Sequence, residues 1–271
     1  MIFRQYSPSK ALSGYIKCYW ILESEFVPDE PERILPDGCT ELIFHYGDQY
    51  ERISEEGATE QPKNLLVGQI KRAIRLQPTG KTGMLGIRFY PWGLYPFTAM
   101  PVNELTEQFV EADVLFKQAG DLSEQLCSSL GQQEIIQHTE AFLLSIINKR
   151  HRKHFYHADK FSGIIPELLK DTSDASVTGL AASANLSVRQ FNRKFNEVTG
   201  LAPKQFIRIA RMQQFIHSYR SVRDSASLHS LIYDCGYYDP AHFTHDFKNI
   251  SGINPSAYFE ELKDLGSAML L

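Results

Sequence analysis

Four polar side chains, Arg189, Asn192, Arg193 and Asn196, are spaced so that one helix would present them together. An arginine guanidinium can donate two parallel hydrogen bonds to guanine, and an asparagine amide can pair in a similar way with adenine. Lys194 stands beside them and adds a positive charge. The residue types and their spacing therefore indicate hydrogen bonding to base edges in the major groove of double-stranded DNA.

A helix that presents these side chains needs an opposite face to bury, and apolar residues provide one. Phe191, Phe195 and Val198 follow one another at spacings of 4 and 3, which keeps them on one side of a helix. Ser187 is a good N-cap, and Gly200 is the expected stop. The sequence thus predicts an amphipathic helix between these two residues.

The same pattern recurs 52 residues later, as the step from Phe191 to Phe243 shows. The positions that recur are Phe191, Phe195, Val198, Gly200, Pro203 and Phe206, which become Phe243, Phe247, Ile250, Gly252, Pro255 and Tyr258. A repeat at a fixed spacing indicates two copies of one supersecondary unit, predicted here as a helix, a turn and a second helix. The offset carries the polar positions to the smaller, less charged set Ala241, Thr244, His245 and Lys248. We expect the second copy to contribute less base specificity.

Basic residues concentrate around the first copy. Residues 187–223 contain eight lysines and arginines against one acid, Glu197, although the whole chain has a net charge of −4. Such a local patch is the electrostatic footprint of nucleic-acid binding. Its candidate phosphate contacts are Ser187, Lys194, Lys204, Arg208, Arg211 and Arg220. The alternative is a solvated structural helix pair, since helix-turn-helix shapes also occur in proteins that do not bind DNA.

The C-terminal part resembles the DNA-binding domain of the AraC/XylS family of transcription regulators. The resemblance is carried by DCGYYDPAHFTHDFKNISGINPSAY at residues 234–258 and by LSVRQFNRKFNEVTGLAPKQF at residues 186–206. It implies two recognition helices in successive major grooves of double-stranded promoter or operator DNA, joined by a long helix that begins at Pro203. The second recognition helix has His245 and Asp246 where the family often has Arg or Lys, which predicts weaker contacts in the second groove.

Length and composition leave room for more than this domain. A chain of 271 residues that is 43% hydrophobic can form two domains, each with its own core. We find no run of 18 apolar residues and no secretory signal, so we expect a cytoplasmic protein that neither spans nor binds a membrane. The four cysteines are scattered, which predicts reduced thiols, one of which could sense redox state.

The N-terminal third reads as short strands. Residues 16–22, 40–46, 64–77 and 84–90 have strand character, and Gly or Pro residues separate them. This predicts a small antiparallel β barrel or sandwich, with residues 47–63 as a mobile hairpin loop. The stretches ERILPDGCTELIF (32–44) and LGIRFYPWGLYPF (85–97) resemble a sensor-type domain of unknown function found ahead of AraC-type domains. That resemblance implies a cupin-like module that binds an effector or dimerises.

Two kinds of small-molecule site can be considered in this β region. A metal site would need several converging ligands, and the strands offer only His45 with Glu41 on the same face, so we predict neither a metal nor a cofactor. A small organic anion or aromatic effector would suit a pocket with one cation, formed by Trp20, Tyr46, Arg88, Tyr90, Trp92 and Tyr95. Each of these six side chains is also an ordinary candidate for the core or rim of the domain.

Helices should connect the two parts. Leu122, Leu126 and Leu130, and then residues 135–147, predict two amphipathic helices with Gly131 near the turn. They form either a homodimer interface or a layer packed on the β domain. The basic run KRHRKH at residues 149–154 follows, and then one helix carrying Phe161, Ile164, Ile165, Leu168 and Leu169.

The sequence as a whole predicts an α+β chain of two domains with a helical connector. Residues 1–110 form the β-rich sensor domain, residues 111–155 the connector, and residues 156–271 an all-α domain with two helix-turn-helix units joined by a long linker helix. The expected function is sequence-specific transcription regulation without catalysis, with RNA polymerase as a partner if the protein activates. The alternatives are a small-molecule enzyme or metal-binding cupin coupled to DNA binding, and a protein-interaction adaptor.

Overall fold

The structure is a computed structural model that describes residues 1–98, 100–128, 131–149, 152–219 and 225–264. The strands are β1 (Ile2–Tyr6), β2 (Ile16–Ser24), β3 (Glu32–Ile34), β4 (Thr40–His45), β5 (Tyr50–Ser54), β6 (Gly57–Glu60), β7 (Asn64–Val67), β8 (Ile74–Pro78), β9 (Thr82–Phe89) and β10 (Phe109–Glu111). The α-helices are α1 (Ala119–Leu126), α2 (Gln132–Ile147), α3 (Arg152–Ser162), α4 (Ile165–Lys170), α5 (Val177–Ser183), α6 (Val188–Thr199), α7 (Pro203–Tyr219), α8 (Ser225–Asp234), α9 (Pro240–Ser251) and α10 (Pro255–Asp264).

Two antiparallel sheets form the N-terminal part, as the sequence predicts. One sheet has the strand order β1-β2-β9-β4-β7-β10, and the other has the order β3-β8-β5-β6. In the larger sheet, β9 lies between β2 and β4, with Trp20 and Ile43 both opposite Gly86. A side chain at Gly86 would collide with the Trp20 indole, so this glycine lets the ring lie across the sheet.

Alternation along the strands separates two apolar layers. Trp20, Ile43 and Met84 point from the larger sheet to the smaller one, where they meet Tyr50 and Leu76. Their neighbours in sequence, such as Ile21, Phe44 and Leu85, point the other way and join the main core. The larger sheet is thus covered on both faces.

The predicted helical connector covers the second face of the larger sheet. Helices α1 and α2 form a hairpin, and Gly131 is the N-cap of α2. Leu122, Phe142 and Leu143 are buried, and the ring of Phe142 packs edge-on against Phe44 of β4. The apolar stripe of the connector is therefore occupied within the chain, while Leu130 lies outside the described residues.

One local prediction is coarser than the structure, and one is wrong. Residues 47–63, predicted to be a mobile hairpin loop, form the β5-β6 hairpin, whose strands were not predicted and whose second strand is exposed along its whole length. A strand that buries neither face leaves no apolar alternation in the sequence. The single helix expected across residues 161–169 is divided into two: α3 ends at Ser162 and α4 begins at Ile165. Leu169, expected on the buried stripe of that helix, is 39% exposed.

The C-terminal part is helical and is built around α7. This helix buries Phe206, Met212 and Phe215, and it runs from the first helix-turn-helix (α5 and α6) toward the second (α8 and α9). Its 17 residues correspond to a length of about 25 Å. The predicted linker helix is thus present from Pro203 to Tyr219. Of the expected boundaries, residue 110 lies in β10 and residue 155 lies in α3.

Candidate nucleic-acid interface and ligand cavity

Helix α6 begins and ends as its sequence dictates. The Ser187 hydroxyl accepts a hydrogen bond from the Gln190 backbone N–H, and the Gln190 side chain accepts one from the Ser187 N–H, which makes a capping box. Gly200 ends the helix with a φ of 83°, in the left-handed region that favours glycine. Phe191, Phe195 and Val198 are fully buried, so the polar face is turned outward.

The two arginines of this polar face are available to a partner. Arg189 and Arg193 are exposed, and neither forms a hydrogen bond or ion pair with another described residue. Asn192 and Asn196 are half-buried, and Asn192 Nδ2 donates to the Val188 carbonyl at 2.7 Å. The arginines are therefore the free groups of the predicted base-reading set on α6.

Helix α9 repeats this geometry with different side chains. The Asp239 carboxylate accepts from the His242 N–H at 2.6 Å, Pro240 occupies the first turn, and Gly252 ends the helix with a φ of 82°. The predicted base-reading residues Ala241, Thr244, His245 and Lys248 are all exposed. The Thr244 hydroxyl donates to the Pro240 carbonyl at 2.8 Å, which engages it within the helix.

Asn249 is a polar residue of α9 that the sequence analysis missed. It is exposed, and its Nδ2 lies 2.8 Å from Nε2 of His245. The signal that could have found it is its spacing of four residues from His245, which places both on one helical face. His245 and Asn249 thus form a joined polar pair beside Lys248.

The predicted phosphate contacts divide into free and engaged groups. Lys204 is exposed and has no ion pair with another described residue, whereas the Ser187 hydroxyl is used in the capping box. Lys194 Nζ lies 2.9 Å from Glu197. Arg220 lies outside the described residues.

Arg208 and Arg211 have partners inside the C-terminal part, contrary to the expectation that they face DNA. The Arg208 guanidinium donates two hydrogen bonds to the Asp246 carboxylate, at 3.0 and 2.8 Å, and this pair joins α7 to α9. Arg211 donates to the Ala175 carbonyl at 3.2 Å. The physical reason is that the middle turns of α7 are buried, so these two arginines lie among packed helices, whereas Lys204 in its first turn is exposed.

The N-terminal part contacts the C-terminal ends of α6 and α9. At the end of α6, the Thr106 hydroxyl donates to the Gly200 carbonyl at 2.5 Å. At the end of α9, the Ala73 N–H donates to the Ile250 carbonyl at 2.7 Å, and Arg33 donates to the Ser251 carbonyl at 3.0 Å. We call these three hydrogen bonds the helix-end contacts.

Further contacts hold the linker helix and the first unit. The Gln213 side chain of α7 donates to the Pro36 carbonyl at 2.8 Å, and Gly38 lies against the ring of Phe206. The Tyr95 hydroxyl donates to Glu197 of α6 at 2.8 Å, and burial with this hydrogen bond raises the pKa of Tyr95. Both helix-turn-helix units and their linker therefore touch the β domain.

A cavity of about 250 Å³ lies between the two sheets, and only part of the predicted pocket set lines it. Trp20 and Arg88 do. The others are elsewhere: Tyr46 donates to Glu23 at 3.1 Å, Tyr90 and Trp92 stack on each other at 4.9 Å, and Tyr95 contacts α6. The expectation of one aromatic pocket from all six residues is therefore wrong, because their strands and turns point them to different sides of the domain.

Arg88 is not a free cation in this cavity. It pairs with Asp37, and its guanidinium lies 2.9 Å from Glu41, which also accepts a hydrogen bond from the Trp20 indole at 3.3 Å. Burial would raise the pKa of Asp37, but the charges of Arg88 and Lys17, together with hydrogen bonds from Arg88 and the Cys39 N–H, hold that pKa below its ordinary value. For Glu41, burial dominates and raises the pKa.

His45 and Glu41 do not meet as metal ligands. His45 is fully buried, and burial lowers its pKa to about 4. Among the described residues, no three His, Cys, Asp or Glu side chains are arranged to hold a metal ion. All four cysteines are free thiols.

Two known domain families match the chain in sequence. A helix-turn-helix domain matches residues 180–261, which span α6 to α9, and a domain of unknown function, DUF6597, matches residues 4–111. The chain carries an AraC-type helix-turn-helix domain. The AraC-type domain thus coincides with the two repeated units. The presence of this domain identifies a DNA-binding transcription regulator.

Comparison with solved structures gives three further similarities. The DNA-binding domain of AdpA, a global transcriptional factor solved with a target DNA, is 25% identical over 40% of this chain and 96% of that one, with a TM-score of 0.36. ToxT from Vibrio cholerae is 12% identical over 89% of this chain and 98% of that one, with a TM-score of 0.48. ToxT with a bound unsaturated fatty acid is 11% identical over 90% and 95%, with a TM-score of 0.44. Comparison with curated proteins found no significant match.

Proposed function

We propose that the protein is a sequence-specific DNA-binding transcription regulator that places α6 and α9 in successive major grooves. The single observation that carries the proposal is the pair Arg189 and Arg193, exposed and without partners among the described residues on the outer face of a capped, well-buried helix. Unpaired guanidinium groups on such a face suit bidentate hydrogen bonds to guanine. The AraC-type domain over the same residues supports this role.

The two helices would contribute unequally. On α6, Arg189 and Arg193 would read bases, with Asn192 and Asn196 as secondary contacts because both are half-buried. On α9, Lys248 and the His245–Asn249 pair would make the contacts, since the Thr244 hydroxyl is engaged and Ala241 offers only a methyl group. Lys204 would contact phosphate at the start of the linker helix.

We further propose that the N-terminal sandwich senses a small molecule. Support comes from the cavity between its sheets, which is lined in part by Gln213 and Ile216 of α7 and by Tyr258 of α10. A molecule bound there would touch the DNA-binding part directly. The connector helices bury their apolar stripe within the chain, so we propose no homodimer through them.

The two alternative functions have less support. An enzyme or metal-binding cupin would need converging reactive or ligating groups, and within the described residues the cavity offers mainly paired carboxylates and apolar walls. An adaptor without DNA affinity would leave the two free arginines of α6 unexplained. The proposed role implies a cytoplasmic protein, with RNA polymerase as a further partner if the protein activates transcription.

No helix in the described ranges is long and apolar enough to cross a membrane.

The test is a salt series of binding by the full-length protein to genomic DNA fragments, including the region upstream of its own gene. We expect tight binding to a few fragments, with log affinity falling linearly against log salt by roughly 0.9 for each phosphate contact. Uniformly weak binding to all fragments would contradict sequence-specific recognition. The control is a protein with Arg189→Ala and Arg193→Ala, which should bind all fragments alike.

A further inference from the structure

The cavity of the N-terminal sandwich has a chemical character that its residues define. Its walls are apolar and aromatic, and include Phe3, Trp20, Tyr50 and Met84 from the sheets and Tyr258 from α10. Its volume of about 250 Å³ is just below the roughly 300–1,000 Å³ typical of small-molecule sites. A single ring system with a short side chain fits such a space.

Charge in the cavity is negative rather than positive. Its lining holds two arginines, Arg33 and Arg88, against three carboxylates, Glu32, Asp37 and Glu41. Arg88 is shared between Asp37 and Glu41, and Arg33 pairs with Glu261 at 3.5 Å and donates to Ser251. Both guanidinium charges are therefore already offset by carboxylates, and the Nε–H of each arginine is buried and donates no hydrogen bond.

Glu32 is the charged group of the lining that lacks a partner. It is half-buried on β3 and forms no hydrogen bond or ion pair with another residue in the part of the chain that the structure describes. Its charge acts on Tyr50, whose ring also lines the cavity. A partly buried carboxylate without a counter-ion is costly, and a bound cation would remove that cost.

A carboxylate set among aromatic rings is a recognition site for organic cations. The faces of aromatic rings attract ammonium groups, and a charge-assisted hydrogen bond to a carboxylate adds to this attraction. The opposite arrangement, a free cation among apolar walls, would be needed for a fatty acid or an aromatic acid, and this cavity does not have it.

We propose that the cavity binds a primary amine attached to an aromatic ring by a short chain, with the ammonium group on Glu32 and the ring between Trp20 and Tyr50. This rests on the proposed sensing role of the sandwich and names the ligand class for it. The adjacent residue of β3, Arg33, forms one of the helix-end contacts, on Ser251 of α9. A ligand bound next to Arg33 would therefore affect the position of α9. We expect this effect to appear as a change in the affinity of α9 for the major groove that it contacts.

The experiment is isothermal titration of the full-length protein, without DNA, with three probes that share one ring system: tryptamine, tryptophol and indole-3-acetate. We expect tryptamine to bind at least about tenfold more tightly than either the alcohol or the acid, since one charge-assisted hydrogen bond contributes that much. Glu32→Gln should remove most of this preference, because the amide keeps the shape but loses the charge.

The control variant is Glu30→Gln, which removes an acid two residues away whose side chain is 88% exposed and pairs with Arg75 outside the cavity. It should keep the preference for the amine, and circular dichroism should show that both variants are folded. Equal binding of amine and acid, tighter binding of the acid, or no binding of tryptamine at millimolar concentration would each overturn the proposal.

A second readout separates this proposal from the DNA-binding role. If tryptamine binds in the titration but the protein shows no specific DNA binding with or without it, the ligand class stands and the proposed regulation fails. If DNA binding is specific but tryptamine does not bind, the ligand class fails alone.

Discussion

Arg193 is the residue whose removal tests base reading most sharply. It is exposed on α6 and has no partner among the described residues, so its removal should leave the fold intact. We expect Arg193→Ala to lose about 1–3 kcal/mol of binding free energy on the specific site and to relax the preference at one base position. Competition binding against a set of single-base operator variants measures both effects.

The matched control for Arg193 is Lys204→Ala, a predicted phosphate contact. Lys204→Ala should lower the affinity for specific and for random DNA by similar factors. It should also reduce the slope of log affinity against log salt concentration by the amount expected for about one phosphate contact. If Arg193→Ala also lowered the affinity for specific and for random DNA equally, Arg193 would be a phosphate contact and not a base reader.

The Arg208–Asp246 pair should stabilise the domain rather than bind DNA. The Asp246 side chain is 6% exposed and that of Arg208 is 27% exposed, and two hydrogen bonds join them. Arg208→Ala removes two hydrogen bonds from this buried carboxylate and leaves it beside His242, 3.6 Å away, so we expect a loss of roughly 3 kcal/mol in the free energy of unfolding. Urea denaturation of the full-length protein measures it.

An exposed pair provides the comparison. Lys170→Ala removes an ion pair with Glu167 in which both side chains are about 70% exposed, and should cost less than about 0.5 kcal/mol. The double variant Arg208→Met with Asp246→Leu should recover most of the stability and keep DNA affinity. Lost affinity in that stable double variant would show that Arg208 contacts DNA after all.

His45 should make the stability of the protein depend on pH. Burial lowers the pKa of His45 to about 4, below its ordinary value near 6.5. The unfolded chain therefore takes up a proton at a higher pH than the folded chain does. The stability that the neutral His45 ring contributes to the folded state is fully present above pH 6.5. As the pH falls toward 4, the free energy of unfolding decreases by roughly 3 kcal/mol.

The measurement is the difference in unfolding free energy between wild type and His45→Gln across that pH range. The variant lacks the titrating ring, so its curve should fall less steeply between pH 6.5 and 4. Parallel curves for the two proteins would mean that His45 titrates normally in the folded state.

At the scale of elements, the helix-end contacts fix how α6 and α9 sit on the β domain. The contact of Thr106 with the end of α6 is the simplest to test, because valine matches threonine in shape but cannot donate a hydrogen bond to the Gly200 carbonyl. Thr106→Val should lower the free energy of unfolding by about 1–3 kcal/mol, since Gly200 is buried and its carbonyl would lose its partner.

The control at this scale is Thr79→Val. Thr79 donates a similar hydrogen bond, at 2.7 Å, to the Gln49 carbonyl, but at an exposed site where water can replace it. We expect a smaller effect there. Equal losses in the two variants would mean that the contact at Gly200 has no special role in holding α6.

At the scale of the whole molecule, local signals in the sequence predicted the helix-turn-helix units and most strands. The caps Ser187 and Asp239 and the stops Gly200 and Gly252 act within one helix, and each does what its residue type dictates. The strand predicted at residues 40–46 is also present, since the continuous apolar run Leu42, Ile43 and Phe44 reflects burial on both faces of β4. The strands of the β5-β6 hairpin were not predicted, because the second of them buries neither face.

Partners distant in sequence account for the rest. Arg208 and Asp246 are 38 residues apart, and Arg88 and Asp37 are 51 apart, so no local pattern shows that these charges neutralise each other. The sequence therefore identified candidate arginines but not which of them are free. Arg189 and Arg193 remain available to DNA, whereas Arg88 and Arg208 are engaged within the chain.

The most direct test of the central claim is a hydroxyl-radical footprint of the full-length protein on a fragment that it binds specifically. Two recognition helices in successive major grooves predict two protected segments on one face of the DNA, about 10 base pairs apart. Arg193→Ala should weaken protection of one segment and Lys248→Ala that of the other. A single protected segment, or two segments that respond alike to both variants, would contradict the assignment of α6 and α9 as separate recognition helices.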